Sequence, residues 1–192
     1  MKLAGLILSG GKNSRMKGEK KFFLEYDGKG FGSRIYEILK GKKQVEEVYL
    51  SVDREDAYKK LGIPLIVDEF DSIGPMGGIL TGLRNIQAEA ILVVACDMPF
   101  LTEKAVEMVI EAYEREQKLV IAMADGRCHP LLAIYPKGML HYFLNQVQRQ
   151  CYKLQAAIAE AAKQEGVSVV ELDQEREAVV NINTVEEYNK IK

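Results

Sequence analysis

The sequence predicts an α/β protein of three layers, with a mostly parallel but locally mixed sheet held between helices. Two observations carry this expectation. Short apolar runs alternate with amphipathic helical stretches along the whole chain. The leading runs are followed directly by Ser, Gly or Asp, as at Leu8-Ser9-Gly10-Gly11, Val52-Asp53, Val67-Asp68 and Cys96-Asp97. At 192 residues, 47% hydrophobic and 28% charged, the chain has the size and composition of one domain over residues 1–192.

Residues 3–8 are all apolar or glycine, as in a strand buried on both faces, and a glycine turn stops them. Phe31, Ile35, Ile38 and Leu39 recur at helical spacing and predict a helix over 31–39, closed by Gly41. A second strand is expected over 48–52, a short helix over 54–61 stopped by Gly62, and a third strand over 65–67. Gly74-Pro75 opens a helix to about residue 86, with proline at a first-turn position. Residues 91–95 are a fourth strand, ended by Cys96-Asp97-Met98-Pro99. Thr102 is the expected N-cap of a helix running to residue 116. Residues 119–124 and 131–135 form a hairpin about Asp125-Gly126-Arg127, which makes the sheet mixed. A helical stretch over 139–162 breaks near Cys151, and a strand follows over 167–172. Thr184 and Glu187 then supply a capping box for a terminal helix.

A net charge of −2 with scattered Lys and Arg excludes a nucleic-acid backbone as partner, because that needs clustered cations. Cys96, Cys128 and Cys151 are odd in number and lack CxxC spacing, against a disulfide framework or structural zinc. Cys96 reads as a small buried hydrophobe. His129 and His141 have no third ligand beside them. The apolar start is too short for a signal peptide and no run reaches transmembrane length, so a soluble, cytoplasmic protein without a membrane partner is expected.

Ligands of open α/β sheets bind outside the carboxyl ends of the strands. If the leading strands are parallel, Ser9-Gly10-Gly11, Asp53, Asp68 and Asp97 share one rim, which suits a metal and a polyphosphate. Gly10-Gly11 allows backbone N–H groups to approach phosphate oxygens. Lys12, Arg15, Lys17, Lys20 and Lys21 place five cations within ten residues. Neither GxxxxGK[ST] nor GxGxxG is present, so this is neither a P-loop nor a dinucleotide fingerprint. Asp97, directly after an apolar strand and before Met98-Pro99, reads as a Mg²⁺ ligand, since Mg²⁺ takes one or two carboxylates beside phosphates and water. A turn-capping Asp is the plain alternative. Asp71 competes with Asp68, and either can serve by capping a loop.

These residues together resemble the molybdenum cofactor guanylyltransferases, within the Rossmann-like nucleotidyltransferases, over nearly the whole chain. Leu8-Ser9-Gly10-Gly11 with Ser14-Arg15-Met16 looks like the LAGG-x-x-SRM signature, with Ser9 in place of the usual alanine. Lys21, six residues before Asp27-Gly28, falls at the phosphate-binding lysine, with Lys20 adjacent. Residues 74–79, GPMGGI, are similar to GPLAGI, and residues 96–100, CDMPF, to CDxPF, whose Asp binds magnesium. His129-Pro130 and residues 181–187, NINTVEE, are similar to the HP and NxNTxEE elements.

The resemblance implies a three-layer Rossmann-like nucleotidyltransferase fold, with residues 1–100 as its nucleotide-binding half and residues 101–192 as its acceptor, pterin-side half. It implies Mg²⁺-dependent transfer of GMP from GTP to the terminal phosphate of molybdopterin carrying molybdenum, with pyrophosphate released. In that reading Leu8, Ser9, Gly10 and Gly11 hold the triphosphate, Arg15 and Lys21 stabilise negative charge, and Asp97 fixes the metal. Asp68 contacts the guanine or its ribose, and the 74–79 segment, Gly77 included, lines the base pocket. Asp53 stands where some members have an asparagine that contacts the nucleotide, which leaves its role open. Asn181 and Asn183 either face the pterin or order the turn before the last helix. Expected partners are GTP, molybdopterin and, on the family pattern, molybdoenzymes, their chaperones and a GTP-binding adaptor protein. Two other activities fit the same residues: a cytidylyltransferase for the same pterin or a sugar-phosphate nucleotidyltransferase, and a nucleotide-binding adaptor without turnover.

Overall fold

The computed structural model describes residues 2–10, 20–70 and 73–192. Nine strands and six α-helices are found among them: β1 (Leu3–Leu8), β2 (Glu25–Tyr26), β3 (Lys29–Gly30), α1 (Phe31–Lys40), β4 (Val45–Val52), β5 (Leu65–Val67), α2 (Pro75–Asn85), β6 (Ala90–Ala95), α3 (Glu103–Glu116), β7 (Val120–Ala124), β8 (Arg127–Pro136), α4 (Leu140–Gln148), α5 (Leu154–Gln164), β9 (Ser168–Glu171) and α6 (Val185–Ile191). Seven strands form one sheet in the order β5-β4-β1-β6-β8-β7-β9. The first four are parallel; β8 runs antiparallel between β6 and β7, and β9 pairs with β7 in parallel. The sheet is therefore mixed, as the hairpin requires. It forms because Asp125 and Gly126 both adopt positive φ (49° and 70°), the two-residue turn whose twist matches antiparallel strands.

Side chains of β1 alternate between two cores, as the period of two demands. Leu3 and Ile7 join Ile35 and Leu39 of α1 and Val106, Val109 and Ile110 of α3. Ala4, Leu6 and Leu8 join Met76, Ile79 and Leu83 of α2, Phe143 of α4 and Ala157 of α5. These are the three layers, with the sheet in the middle. Close approach of α2 to β1 depends on Gly82 and Gly78. A Cβ there would stand 2.6 Å from Leu6 Cδ2 and 2.9 Å from Leu8 Cδ2 respectively.

A smaller cluster of Leu24, Phe31 and Ile182, flanked by Tyr26, Phe100, Val185 and Tyr188, packs the start of α6 against β2 and α1. It returns residues 181–183 to the rim where β6 ends.

Some boundaries differ from expectation. The helix expected over 54–61 is a turn ending in a short 3-10 segment, Lys59–Leu61. The stretch has only Tyr58 and Leu61 as large apolar residues, too few for a helical face. Tyr58 is instead fully buried, and Gly62 closes the segment at φ 67°. The expected single helical stretch over 139–162 is two helices, α4 and α5, parted by Gln150 at φ 55°. The β2–β3 hairpin was not expected, although Asp27-Gly28 (φ 53° and 72°) is a hairpin signal. Its strands are two residues each, too short for an alternating pattern. No described helix is long and apolar enough to cross a membrane.

Candidate active site

The register of the parallel strands sets one rim. Leu8 pairs with Ser51 on one side and with Ala95 on the other, and Val52 pairs with Val67. The ladder continues a step further through Ser9 N–H to Ser51 O (2.9 Å), Cys96 N–H to Leu8 O (3.0 Å) and Asp68 N–H to Val52 O (3.0 Å). Ser9-Gly10, Asp53, Asp68 and Asp97 thus leave the sheet side by side. A Cβ on Gly10 would lie 3.0 Å from Asp68 Oδ2 and 3.7 Å from the Asp53 backbone nitrogen, so only glycine leaves the Asp68 carboxylate undisturbed. Gly11, Lys12, Ser14, Arg15, Met16, Lys17 and Asp71 lie outside the described residues.

The adjacent lysines serve different carboxylates. Lys21 Nζ donates to Asp97 Oδ2 at 2.6 Å and to Asn183 Oδ1 at 2.7 Å. Lys20 Nζ donates to both oxygens of Asp53, at 2.8 and 3.0 Å. The Lys21–Asp97 pair is largely buried, with side chains 15% and 12% exposed, whereas Lys20 and Asp53 are 27% and 42% exposed. Burial acts to raise the Asp53 carboxyl, but the hydrogen bonds and charge of Lys20, with backbone N–H groups, outweigh it and hold the group below its usual range.

Asp68 follows the opposite course. Burial pushes its carboxyl above the usual range, Ser51 pulls it part of the way back, and the nearby Asp53 charge raises it again. Ser51 Oγ donates to Asp68 Oδ1 at 2.6 Å, leaving Oδ2 towards Gly10. Gly78 stands behind this pair, since a Cβ on it would come within 2.5 Å of Ser51 Oγ.

A buried aromatic joins both flanks of the glycine turn. The Tyr58 and Ser9 hydroxyls share a hydrogen bond of 2.9 Å. The Tyr58 ring stacks on Phe23 (centroids 5.4 Å apart, 20° between planes), and the Phe22 ring meets it edge-on at 5.7 Å. Phe22 and Phe23 directly follow Lys20 and Lys21, so Tyr58 packs the lysine turn against the end of β1. Burial pushes the Tyr58 hydroxyl up to about 12. Burial likewise pushes the Cys96 thiol up to about 12, as suits its inert place in the core.

Of the residues singled out from sequence, Leu8, Ser9, Gly10, Lys21, Asp53, Asp68 and Asp97 stand together on the rim. Gly77 is buried in the first turn of α2, its Cβ position 3.0 Å from Phe70 O and 3.2 Å from Ile73 Cγ1; Gly78, its neighbour, faces Ser51 and Asp68. Asn181 Nδ2 donates to Asp97 Oδ1 at 3.0 Å, and Asn183 accepts from Lys21. Sequence reasoning missed Tyr58, Ser51 and the pairing of Lys20 with Asp53. Ser51 was detectable as a polar residue inside an otherwise apolar strand end.

Among the described residues no three His, Cys, Asp or Glu side chains gather as a metal cage. A single rim carboxylate still fits Mg²⁺, which shares its shell between one or two protein oxygens, phosphates and water. Asp97 fits in another way, because its Oδ2 already faces a cation, the Lys21 ammonium.

Comparison with known proteins agrees with this geometry. Residues 5–165 match the family described as the MobA-like NTP transferase domain. A probable molybdenum cofactor guanylyltransferase of Clostridium perfringens (strain 13 / Type A) is 32% identical over 200 residues, covering 100% of this chain and 96% of that protein. One of Thermococcus sibiricus is 31% identical over 99% of this chain and 97% of its own length. Among solved structures, molybdopterin-guanine dinucleotide biosynthesis protein A from Archaeoglobus fulgidus superimposes with a TM-score of 0.78 at 22% identity, over 100% and 96% of the two chains. A CMP:2-keto-3-deoxy-manno-octonic acid synthetase bound to CTP shares the fold alone, with a TM-score of 0.76 at 15% identity over 100% and 97%. A Rossmann-like sheet with a glycine turn, a lysine and an aspartate on one rim, and similarity over the full length, lead to one conclusion: the chain belongs to the MobA-like NTP transferase family and is a nucleotidyltransferase.

Proposed function

We propose that this enzyme transfers GMP from GTP to the terminal phosphate of molybdopterin carrying molybdenum, forming the guanine dinucleotide of the cofactor and releasing pyrophosphate. The observation that carries the reading is the Lys21–Asp97 pair beside the Gly10 turn, a cation and an anion held ready at the rim where a triphosphate would lie. The names of the full-length relatives support the choice of nucleotide and acceptor.

The acceptor phosphate attacks the α-phosphorus in line, the bond to the bridging oxygen breaks, and pyrophosphate leaves with the negative charge. No protein nucleophile is required, so positioning and charge neutralisation are the main tasks. Backbone N–H groups of the Gly10-Gly11 turn hold phosphate oxygens, the Ser9 N–H being spent on Ser51 O, and Lys21 and Arg15 offset charge on the transferred and leaving groups. Asp97 would hold Mg²⁺, which when bound neutralises triphosphate charge and orients its oxygens. Asp68, with Oδ2 open towards Gly10, accepts from the base or ribose, beside the 74–79 segment. Asp53 lies on the same side, its charge balanced by Lys20. Residues 101–192 supply the acceptor side.

The test is pyrophosphate release with molybdenum-loaded molybdopterin and each nucleoside triphosphate in turn. GTP alone should support turnover, and only with Mg²⁺ present. Preference for CTP would turn the assignment to a cytidylyltransferase. GTP binding without any turnover would turn it to an adaptor.

A further inference from the structure

We infer that Asn181 and Asn183 are positioning residues that hold the metal-binding carboxylate and the phosphate-binding lysine at their working separation, a role that rests on the nucleotidyl-transfer reading above. Three consecutive residues grip one ion pair. Asn181 Nδ2 donates to Asp97 Oδ1 (3.0 Å), Ile182 N–H donates to the Asp97 backbone carbonyl (2.9 Å), and Asn183 Oδ1 accepts from Lys21 Nζ (2.7 Å). The strap is anchored from both directions. Ile182 is 3% exposed among Leu24, Phe31, Tyr26 and Phe100. The Asn183 N–H donates to Glu187 Oε2 (2.6 Å) in the capping box of α6.

The chemistry of each contact explains why two amides are used. A carboxylate needs a donor and an ammonium needs an acceptor, and the asparagine side chain offers both without adding charge. An Asp at 181 would set two carboxylates against each other, and a Lys at 183 would oppose Lys21. Ordering of the turn does not require either side chain, because Thr184 and Glu187 close it reciprocally. The Nδ2 of Asn181 and the Oδ1 of Asn183 are both committed to the ion pair, so only Asn181 Oδ1 and Asn183 Nδ2 are left to meet an acceptor. Residues that orient a metal ligand from behind commonly matter about as much as tenfold or more in metal affinity.

The two asparagines should give different signatures, measured on the full chain without acceptor so that no turnover intervenes. Mn²⁺ binding in the presence of GTP is read by electron paramagnetic resonance, and GTP binding in EDTA by calorimetry. Asn181→Ala should weaken Mn²⁺ about tenfold while metal-free GTP binding stays near wild type, and Asn183→Ala should do the reverse through Lys21. Asn181→Asp, which keeps the side-chain shape and replaces the donor with a second carboxylate, should weaken GTP-dependent Mn²⁺ binding or alter its spectrum, with its Tm recorded beside the alanine variants. Wild-type Mn²⁺ and GTP affinity in both alanine variants, with only the acceptor KM raised, would overturn the positioning role in favour of acceptor contact. Equal losses in both, tracking a lowered Tm and absent from Asn181→Asp, would overturn it in favour of a folding role. A wild-type chain that binds neither GTP nor Mn²⁺ with GTP would instead sink the nucleotidyl-transfer reading beneath it.

Discussion

Lys21 Nζ lies 2.6 Å from Oδ2 of Asp97, a residue 76 positions further along the chain, in a contact where both side chains are mostly buried. A cation and an anion so placed serve two purposes in turn. Before substrate binds, each neutralises the other. If a triphosphate and its metal bind as proposed, phosphate oxygens would take over the ammonium and the metal would take over the carboxylate.

Asp97→Ala should therefore abolish Mg²⁺-dependent pyrophosphate release, by about a hundredfold or more, while circular dichroism shows an intact fold. The fold should survive because Lys21 keeps Asn183 as a partner and Asp97 sits at a strand end rather than within the core clusters. Near-normal turnover in this variant would remove the metal-binding assignment.

The two neighbouring lysines should separate cleanly. Lys21→Ala should raise the GTP KM or lower kcat by at least about tenfold, since its charge is the one proposed to meet the reacting phosphates. Lys20→Ala should cost much less, because its ammonium is occupied by Asp53 at the exposed side of the rim. It should also let the Asp53 carboxyl rise, which a shift of the acid limb of the pH–rate profile would register. A larger loss from Lys20→Ala would exchange the two roles.

The sequence revealed the frame of this site better than its fastenings. Parallel apolar strands followed by Ser9-Gly10, Asp53, Asp68 and Asp97 were readable because strand ends are written locally, as a run and a breaker. The pairing of Lys20 with Asp53, and of Lys21 with Asp97 and Asn183, depends on which way each side chain leaves a turn, and adjacent identical lysines carry no mark of it. Tyr58 was obscured by its neighbours: a mostly charged stretch suggested a short helix, while its one aromatic packs inward against Ser9 and the rings of Phe22 and Phe23. Asn181 and Asn183 were recognisable as important only through resemblance, since their partners lie 84 and 162 residues away.

Away from the site, Lys42 is 7% exposed and donates to Glu103 (2.9 Å) and Glu107 (2.7 Å), tying the α1–β4 connection to α3. Burial acts to lower its ammonium pKa, but the two glutamates outweigh it and raise the value above 10.5. A raised folded value means the contribution is fully present below the unfolded pKa and is lost as pH climbs through the folded one. Lys42→Ala should cost about 1–3 kcal/mol in urea unfolding near neutral pH, through lost stem packing as well as lost charge. The gap between wild type and variant should narrow once the pH passes above 10.5. A gap independent of pH would assign the whole effect to packing.

Ser9 replaces the alanine usual at the start of the glycine signature, and in this chain its hydroxyl has an identifiable use. It meets the Tyr58 hydroxyl at 2.9 Å in a position where Ser9 is 4% exposed and Tyr58 is fully buried. Ser9→Ala strands the Tyr58 hydroxyl away from water and should cost about 1–3 kcal/mol, whereas Tyr58→Phe leaves the Ser9 hydroxyl the Cys96 sulfur as a partner and should cost less. The double variant removes both groups and should be destabilised by less than the sum, with a coupling of about 0.5–2 kcal/mol in a urea-unfolding cycle. Strict additivity would mean that the two hydroxyls find other partners and that Tyr58 holds the lysine turn to β1 through its ring alone. The stacking on Phe23 would then be the contact to remove next, with Phe23→Ala freeing one face of the Tyr58 ring.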